Sequence, residues 1–459
     1  MTMPGQRLYF GAGGAADTLM SNLISYLWTP VYVVAMGLDP AVIGLVMALP
    51  RLYDAFTDVI MGNISDNTRS RFGRRRPYIF FGSLATGLAF VFLWTPPPHA
   101  SPALSTGYIL LMVLVYYTCY TLFSVPYSAL GFEVSYDAKE RTRLAGTRTF
   151  FAMVAYMSLP WAYKLSLVIG DSSLPSPQRE LDGIVPTSII FGVAMMCFGL
   201  IPALGCREKT EAHKQEKIAI LSALKTCFAN TPFRYILAAI FFVIVGTSVF
   251  GSAKTYLNIF YLFPGHRERA ADYLAYSGTI AGFASMFGVA LVTWLGNRLG
   301  KRHVVILGQS VVVVGSLCSW FLFSPQYPWL QLVLAPLLSL GNLTVWLLLF
   351  VMVAEATDLD ELQTGLRREG MYTAIYSWTF KTSSSLSFFL SGLVLTWTGI
   401  DTQASAQTPG SIFTLRILSA LVPAASALLA VFFTWKCSLT EKKAREIRAL
   451  LDVKNKKTP

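Results

Sequence analysis

Two apolar segments joined by a basic hinge decide the fold. Residues 41–97 read AVIGLVMALPRLYDAFTDVIMGNISDNTRSRFGRRRPYIFFGSLATGLAFVFLWTPP. Each segment is about 20 residues long, which is the length that an α-helix needs to cross a bilayer. Five arginines crowd the hinge between residues 69 and 76. The stretch therefore predicts two membrane-spanning helices with a basic connection on one side of the membrane.

The composition extends this prediction to the whole chain. Of its 459 residues, 54% are apolar and only 14% are charged, and the mean hydropathy is +0.52. In soluble domains, about a quarter of all residues are charged. The chain is therefore expected to be an all-α polytopic membrane protein. Its composition excludes a disordered chain, a secreted disulfide scaffold and an ordinary soluble enzyme.

Twelve apolar segments recur along the chain, and each is long enough to cross a membrane. The predicted spans are residues 10–36, 41–63, 78–97, 105–133, 146–170, 186–205, 233–262, 271–296, 303–324, 328–356, 370–399 and 411–436. The longest polar connection divides them into two sets of six. The predicted domains are an N-terminal half at 1–205, a linker at 206–232, a C-terminal half at 233–436 and a tail at 437–459.

Charge fixes the expected orientation. Most of the 37 Lys and Arg residues fall in connections that lie on one side when the spans alternate. Because cytoplasmic loops are enriched in Lys and Arg, both termini are expected in the cytoplasm. The bare N-terminus without a transit signature fits a bacterial inner membrane, and a eukaryotic membrane is the alternative. The net charge of +12 then reflects topology, so no nucleic acid partner is expected. The N-terminus lacks a signal-peptide pattern, so the first segment is expected to remain as a helix.

A weak internal repeat supports two halves. Glycine-plus-basic hinges follow the second and eighth spans, GNISDNTRSRFGRRR at 62–76 and GNRLGKR at 296–302. Two six-helix halves related by an axis along the membrane normal are the plan of major facilitator transporters. The tail begins with a capping-box pattern from Ser438 to Glu441. It predicts either a short amphipathic helix on the anionic inner leaflet or a solvated tail.

Two aspartates inside the second span give the strongest functional signal. Asp54 and Asp58 are four residues apart, so they share one face of a helix. Two adjacent carboxylates repel each other, and therefore one is protonated or a cation lies between them. The pattern predicts a cation site. The alternative is a structural salt bridge with Arg51, which lies on the same face.

Further charges inside the spans predict a solute site. Asp17, Arg148 and Lys381 lie in spans one, five and eleven, where a charge is costly unless it is paired or hydrated. They are expected either to pair structurally or to hold an anionic or hydroxylated solute. Aromatic side chains such as Tyr120 and Trp346 either line the same cavity, where they would stack on sugar rings, or pack between helices.

Charges near the predicted cytoplasmic ends are interpreted as gates. Glu355 and Asp358 end span ten and are expected to bind Arg367 or Arg368. The first hinge and the connection after span four are expected to form a latch in the outward-open state. Its residues are Asp66, Arg74, Arg75 and Arg141. The alternative is that these arginines only set the topology.

Other classes of function find no support in the sequence. The six cysteines form no CxxC pair, and the four histidines are too far apart to suggest a His-built metal site. No nucleophile–base motif of an enzyme is present, so no catalytic residue is predicted, and no cofactor beyond a coupling ion is expected. The short tail argues against a sensor with an added signalling domain.

The chain resembles the glycoside–pentoside–hexuronide:cation symporters. The resemblance rests on YDAFTDVIMG at 53–62 and TRSRFGRRRP at 68–77, and it recurs in shorter matches. Those matches are Tyr120-Thr121, Val125-Pro126, Arg148-Thr149-Phe150-Phe151, residues 346–358 and Lys381. The resemblance implies a major facilitator fold and alternating-access symport of a sugar, glycoside or hexuronide with Na+ or H+. It also implies that one chain works as a monomer in the lipid bilayer.

The resemblance also implies a site for each ligand. The cation would be held by Asp54, Asp58 and Thr121, with Thr57 in place of the family's asparagine; if the ion is Na+, the two aspartates are its metal ligands. The implied solute residues are Asp17, Tyr120, Ser124, Arg148, Trp346 and Lys381. Because Ser124 stands where the family has an aspartate, an acidic solute such as a hexuronide fits at least as well as a neutral glycoside. The alternative is a cation-coupled transporter of lysolipids or other organic anions on the same fold.

Overall fold

The computed structural model describes residues 4–97, 100–134, 138–206, 208, 227–366, 368–402, 404 and 407–456. Throughout these ranges the regular structure is helical, with no strand. The helices are α1 (Pro4–Trp28), α2 (Pro40–Asn67), α3 (Arg76–Leu93), α4 (Pro102–Val134), α5 (Ala138–Ser158), α6 (Trp161–Ile169), α7 (Ser176–Gly205), α8 (Thr231–Tyr256), α9 (Arg267–Leu299), α10 (Lys301–Leu322), α11 (Gln331–Thr364), α12 (Glu369–Trp397), α13 (Pro409–Lys436) and α14 (Glu441–Lys456). Short π-helices at Thr29–Ala35 and Leu257–Leu262 extend α1 and α8.

The predicted all-α, twelve-span fold is confirmed. Among the described helices, eight are long and apolar enough to cross a membrane, and the bent pair of α5 and α6 makes a ninth span. The remaining spans are α1, α2 and α12. These three carry Asp17, Asp54, Asp58 and Lys381. The three less apolar helices therefore carry most of the predicted site charges, as expected for functional intramembrane residues, and Arg148 lies on α5.

Local sequence explains where the site-bearing helix α2 begins. The side chain of Asp39 accepts hydrogen bonds from the backbone N–H groups of Ala41 and Val42, at 2.8 and 3.0 Å. Pro40 occupies the first helical position, where no backbone donor is needed. From this cap, α2 runs without a break to Asn67. Residues 54 and 58 therefore keep the four-residue spacing that brings their side chains together.

The fifth span differs from the prediction of one helix over residues 146–170. It is broken between Ser158 and Trp161, and its two pieces are bent by 44°. Pro160 lies at the break. Proline has no backbone N–H and its ring crowds the preceding turn, so a helix interior bends or ends there. The break gives α6 a direction of its own.

The described chain divides into two compact units. Unit 1 comprises Met1–His213, Asn258–Thr279 and Leu395–Thr408. Unit 2 comprises Lys214–Leu257, Ile280–Val394 and Pro409–Pro459. Unit 1 thus includes short segments that come, in sequence, from the second set of spans. The predicted boundaries at 205, 232 and 436 stay a prediction, and residues 209–226 of the linker lie outside the described part.

The C-terminal tail forms helix α14, and it docks on unit 2. Ile447 and Leu451 are buried in the apolar core of that unit. The predicted capping box is wrong: the helix begins at Glu441, and the Thr440 hydroxyl accepts from the N–H of Lys443. The reason is that Glu441 is used elsewhere, since its carboxylate accepts from Lys301 at 2.9 Å. Partial burial alone would raise the pKa of Glu441, but its bonds to Lys301 and Arg445 lower that pKa overall.

Candidate ion and solute site

The four residues predicted to hold a cation meet at one point between α2 and α4. Thr121 Oγ1 lies 2.7 Å from Asp54 Oδ1 and 3.3 Å from Asp58 Oδ1. Thr57 Oγ1 lies 3.2 Å from the same Thr121 oxygen. Two carboxylates and two hydroxyls therefore surround a small volume that is shared by both helices.

This oxygen cluster has the chemistry of a monovalent cation site. Asp54 and Thr121 are buried, with 0% and 2% of their surfaces exposed. The one hydroxyl proton of Thr121 cannot satisfy both aspartates at once. Repulsion between the carboxylates is relieved when a proton or a small hard cation binds between them. Within the described residues, no group of three Asp, Glu, His or Cys side chains forms a metal site.

In the described part of the chain, the side chain of Arg51 contacts α1 and α4 and does not bond directly to the aspartate pair. Its Nη2 donates to the backbone oxygen of Ser21 at 3.1 Å, and its guanidinium lies over the Tyr117 ring, 5.0 Å from the centroid. These two contacts hold the arginine against α1 and α4. The geometry therefore favours the cation site over the alternative of a direct salt bridge from Arg51 to the aspartates.

A second charged cluster joins α1, α4 and α5. Asp17 accepts from the Tyr120 hydroxyl at 3.1 Å and from Arg148 Nη2 at 3.0 Å. The Arg148 guanidinium also lies 5.3 Å from the centroid of the Tyr127 ring. About one fifth of the Asp17 side chain and one third of the Arg148 side chain are exposed. The pair is thus accessible to a polar solute and is also prearranged by its neighbours.

Two glycines allow α1 and α5 to approach closely enough for this pairing. A Cβ atom at Gly14 would lie 2.6 Å from the Arg148 backbone oxygen, and one at Gly11 would lie 2.6 Å from the Thr147 side chain. Contacts this short do not occur in folded proteins, so neither position accepts a larger residue without a shift of the helices. The glycines therefore fix how far Asp17 lies from Arg148.

We expect Gly14→Ala to destabilise the protein by about 1–3 kcal/mol through overpacking, although alanine by itself favours a helix. The matched control is Gly107→Ala on α4, where a Cβ meets nothing within 4 Å. Thermal unfolding of the purified variants measures both effects. A Gly14→Ala variant as stable as Gly107→Ala would contradict the close packing.

The two clusters meet on successive residues of α4. Tyr120 contacts Asp17, and Thr121 contacts Asp54 and Asp58. Successive helical side chains point about 100° apart, so one turn of α4 presents one residue to each cluster. Any shift of this turn moves a partner of the aspartate pair and a partner of Asp17 together.

The other predicted solute residues divide between the two units. Ser124 is buried on α4, one turn beyond Tyr120 in unit 1. Trp346 and Lys381 belong to unit 2, on α11 and α12. Trp346 is 44% exposed and packs edge-on against Phe380, with ring centroids 5.4 Å apart. The structure therefore brings Asp17, Tyr120 and Arg148 together. In unit 2, Trp346 packs against Phe380, which precedes Lys381 in the sequence.

The basic hinge after α2 binds acids in two ways. Arg75 Nη2 donates to Asp66 at 2.9 Å, and Arg74 donates to the backbone oxygen of Asp66 at 3.4 Å. The backbone N–H groups of residues 74–76, at the start of α3, donate to the carboxylate of Glu208. Glu208 was not predicted; its only signal is an acid placed directly after span six, where a helix N-terminus attracts a negative charge.

The first helical turns of α1 and α5 share one carboxylate. Arg7 donates to Glu140 through Nε and Nη2, at 3.0 and 2.6 Å, and Arg143 donates to it at 3.3 Å. The predicted gate residue Arg141 lies in the same turn, but its side chain lies outside the described part of the structure. Glu140 therefore anchors two helices at the arginine-rich end of unit 1.

In unit 2, the predicted gate residue Glu355 is bound by Lys301, at 2.7 Å. The same ammonium binds Glu441 of α14 at 2.9 Å. Lys301 comes from the second glycine-plus-basic hinge, directly after Gly300 with its φ of 83°. One lysine thus ties together the starts of α10 and α14 and the end of α11. Asp358 is half-buried one turn further along α11.

The expected pairing of Glu355 or Asp358 with Arg368 is wrong. Arg368 Nη1 donates to Asp360 at 3.0 Å. The reason is the turn that ends α11: Gly365 has a φ of 73°, and this left-handed residue reverses the chain so that Arg368 folds back over Asp360. Arg367, the other predicted partner, lies outside the described residues.

A second set of ion pairs in unit 1 was not predicted. It connects α6 and α7 to the start of α9. The pairs are Lys164–Asp272, Arg179–Glu268 and Arg267–Glu180, and Tyr163 also donates to Glu180. The indole N–H of Trp161 adds a bond to Thr279 at 2.8 Å. The only sequence signal was that Lys164, Arg179 and Arg267 fall on the side opposite to the basic connections.

Comparisons with known proteins agree on one family. A family profile described as MFS/sugar transport protein matches residues 9–441. The chain is 26% identical to the Uncharacterized symporter YnaJ of Bacillus subtilis, over 98% of this chain and 95% of that one. It is 25% identical to a glucuronide carrier protein homolog of Escherichia coli, over 97% and 95%. It is 23% identical to the isoprimeverose transporter of Lactiplantibacillus pentosus, over 82% and 76%.

Solved structures share the fold at low sequence identity. A D-xylose-proton symporter superposes with a TM-score of 0.65 and 15% identity, over 96% of this chain and 98% of the other. An inward-facing bacterial homolog of the lysosomal transporter Spinster gives a TM-score of 0.67 and 13% identity, over 95% and 97%. These likenesses support the helical architecture alone.

Proposed function

Because this chain belongs to the MFS/sugar transport protein family, we propose that it is a secondary transporter that couples a cation to a sugar, glycoside or hexuronide. The observation that carries the proposal is the contact of Tyr120 and Thr121, successive residues of α4, with Asp17 and with the aspartate pair. Coupling requires that one ligand alters the site of the other. One turn of helix that touches both clusters provides that link.

The cation step occurs at Asp54, Asp58, Thr57 and Thr121. A bound Na+ or proton removes the repulsion between the two carboxylates and fixes the Thr121 hydroxyl. This holds the turn of α4 in the position where Tyr120 supports Asp17. By linkage, a solute bound at Asp17 raises the affinity for the cation by the same factor.

The solute step uses Asp17 and Arg148 of unit 1, with Tyr120 as their neighbour on α4. Ser124, one turn further along α4, and Trp346 and Lys381 of unit 2 stay predicted solute residues. The carboxylate accepts from sugar hydroxyls, and the guanidinium binds a hydroxyl or a carboxylate in a planar fork. An acidic sugar suits this site because unit 1 keeps a guanidinium where part of its surface is accessible. A relative named as a glucuronide carrier homolog and another named as an isoprimeverose transporter support sugars as the class.

A second candidate function is the transport of an amphipathic anion such as a lysolipid. An open cavity of about 580 Å³ in unit 1 combines two guanidiniums with an aromatic wall. Arg7 and Arg143, which also share Glu140, provide a net positive charge, and Leu8, Phe150 and Phe151 provide the apolar surface. A lipid phosphate with its acyl chain requires this combination, whereas a free sugar requires fewer apolar contacts.

The apolar helices and the bacterial relatives support a multi-pass protein of a bacterial inner membrane. The distribution of basic residues supports both termini in the cytoplasm. In this orientation the clusters around Asp66, Glu140 and Glu355 lie at the cytoplasmic face, where they would brace the inner gate. We propose one chain as the working unit, since the contacts at Asp17 and Asp54 need no residue of a second copy.

In this orientation the ion pairs of α6, α7 and α9 lie on the outer face and close an outer gate. We expect Asp272→Asn, which breaks the contact with Lys164, to raise the outward-open population by about fivefold, the size expected for a partly exposed pair worth about 1 kcal/mol. The measurement is the labelling rate of Thr279→Cys by a membrane-impermeant thiol reagent, in protein whose native cysteines are replaced by serine.

Asp182→Asn is the matched control for this measurement. Asp182 lies near the start of α7, on the same side of the membrane as Asp272 in the proposed orientation, and it accepts from the N–H of Asp171 at 2.9 Å. Its substitution removes the same charge without breaking one of the three ion pairs. Equal labelling rates for the two variants would contradict the outer gate.

The proposed function is tested by uptake into proteoliposomes. Neutral glycosides, hexuronates and lysolipids are each offered under an inward Na+ gradient, an inward proton gradient, or no gradient. We expect at least one sugar or hexuronate to accumulate only under a gradient, and an ionophore that dissipates the gradient to stop it. Gradient-driven uptake of lysolipid alone would favour the second candidate, and no gradient-driven uptake of any solute would contradict both.

A further inference from the structure

Unit 2 contains a small polar cavity that neither the transport proposal nor the gates use. It lies between α8, α10, α11 and α13 and has a volume of about 40 Å³. Its polar lining residues are Thr247, Gln309, Ser316, Asn342 and Ser426. The remaining lining residues are mostly apolar, and none is charged. A cavity of this kind inside a membrane helix bundle needs an explanation, because buried polar groups require partners.

Gln309 gives the strongest reason for a bound ligand. The residue is 1% exposed, and its Nε2 donates to the backbone oxygen of Gly341 at 3.2 Å. Its Oε1 has no hydrogen-bond partner among the described residues. Exchanging the amide nitrogen and oxygen does not help, because the oxygen would then face the Gly341 carbonyl, and two acceptors repel. The side chain is held in the orientation that leaves its acceptor unpaired.

Ser316 presents a second unpaired group to the same cavity. It follows Gln309 by seven residues, or about two helical turns, so both side chains lie on one face of α10. Ser316 is 1% exposed, and its hydroxyl finds no partner in the part of the chain that the structure describes. One donor-acceptor group and one acceptor thus line the same small space.

The surrounding helices cannot close the cavity. A Cβ atom at Gly246 would lie 2.7 Å from the Ser426 side chain, and one at Gly308 would lie 3.0 Å from the backbone oxygen of Gly341. These positions show that α8 and α13, and likewise α10 and α11, already pack closely against each other. Collapse of the helices onto the unpaired groups is therefore prevented by the packing itself.

We propose that this cavity is a hydration site that holds one to three water molecules as part of the folded unit. A water needs about 10–15 Å³ of such volume and two to four polar partners, and both are available here. The bound water donates to Gln309 Oε1 and exchanges hydrogen bonds with Ser316 and Ser426. Thr247 also lines the cavity and is exposed. The uncharged lining suits water rather than an ion.

Radiolytic hydroxyl-radical labelling read by mass spectrometry tests this site, because ordered water activates the side chains beside it. Leu338 lines the cavity, whereas Leu348 lies on the same helix in the apolar core, and both are buried, at 9% and 5% exposure. In the wild-type protein we expect Leu338 to be modified severalfold faster than Leu348. In the double variant Gln309→Leu, Ser316→Ala, the rate at Leu338 should fall to that at Leu348.

The single variant Ser316→Ala keeps the test informative if the double variant fails to fold, and it should give an intermediate rate. Folding is checked by thermal unfolding of the purified variants, read by helical circular dichroism. Equal labelling of Leu338 and Leu348 in the wild-type protein would overturn the proposal. A fast rate at Leu338 that survives both substitutions would overturn it as well, since the water would then not depend on the unpaired groups.

Discussion

Replacing Asp54 by asparagine will abolish cation-driven uptake while the protein stays folded. Asp54 provides the fully buried carboxylate oxygen that lies 2.7 Å from Thr121. Its amide analogue has the same size but no negative charge to attract a cation. We expect the affinity for the coupling ion to fall at least about 100-fold, which corresponds to about 3 kcal/mol. Calorimetric titration with Na+ and Li+ measures this loss, and proteoliposome uptake measures its consequence.

Asp39→Asn is the matched control on the same helix. Asp39 is exposed and caps α2, and asparagine caps a helix as well as aspartate does. The control therefore removes one negative charge from α2 without changing its start or its cation cluster. Cation-driven uptake by Asp54→Asn at the rate of Asp39→Asn would contradict the assignment of the site.

The hydroxyl of Thr121 allows a finer test of the same cluster. Thr121→Ala should weaken cation binding, and Thr121→Ser should restore most of it, because serine keeps the oxygen. Thr118→Ala removes a hydroxyl one turn earlier, where it donates to the Leu114 backbone oxygen, and serves as the control.

Replacing Asp17 by asparagine has the second largest expected effect. The substitution leaves Arg148 without its carboxylate partner, whereas the amide oxygen still accepts from the Tyr120 hydroxyl. We expect binding of the solute to be lost. Breaking a buried ion pair lowers the free energy of unfolding by about 3–5 kcal/mol. The loss for Asp17→Asn should be smaller, because solvent screens a pair that is partly exposed.

The readout that distinguishes a solute residue from a merely structural one is the cation titration. Asp17→Asn should still bind the cation in the absence of solute, since Asp54, Asp58 and Thr121 remain in place. Arg148→Lys keeps the charge but loses the planar fork, so it should retain folding and bind solute weakly. Loss of cation binding in Asp17→Asn would mean that this cluster is structural.

Local spacing made the cation face predictable. Asp54 and Asp58 are four residues apart, and a helix without a break converts this spacing into a shared face. Thr121 lies 63 positions beyond Asp58 in sequence, and only the family resemblance linked it to the pair. The geometry brings these residues within hydrogen-bond distance, although their role as ion ligands stays a prediction.

Pairing between distant charges could not be predicted in the same way. A charge inside the membrane is costly without a partner, so Asp17 and Glu355 are each expected to have one. The sequence does not identify the partner residue. Asp17 pairs with Arg148 because two glycines allow α1 and α5 to pack closely, and Glu355 pairs with Lys301. Because the chain turns at Gly365, Arg368 donates to Asp360. These choices depend on helix packing, which leaves little trace in sequence periodicity.

The tail shows the same limit. Its amphipathic pattern predicted a helix on the lipid leaflet or a solvated segment. The apolar face of α14 is instead covered by the core of unit 2. A sequence shows that an apolar face must be buried, but a lipid surface and a protein surface satisfy that requirement equally well.

In the proposed mechanism, one turn of α4 couples a cation to a solute. The most direct measurement is a reciprocal calorimetric titration of the solute identified by uptake, with and without the coupling cation, and of the cation with and without that solute. We predict that each ligand raises the affinity of the other by one common factor, of about 5- to 150-fold. In Asp54→Asn the effect of the cation on solute affinity should vanish. A solute affinity in the wild-type protein that is the same with and without Na+ and at every pH would contradict the account.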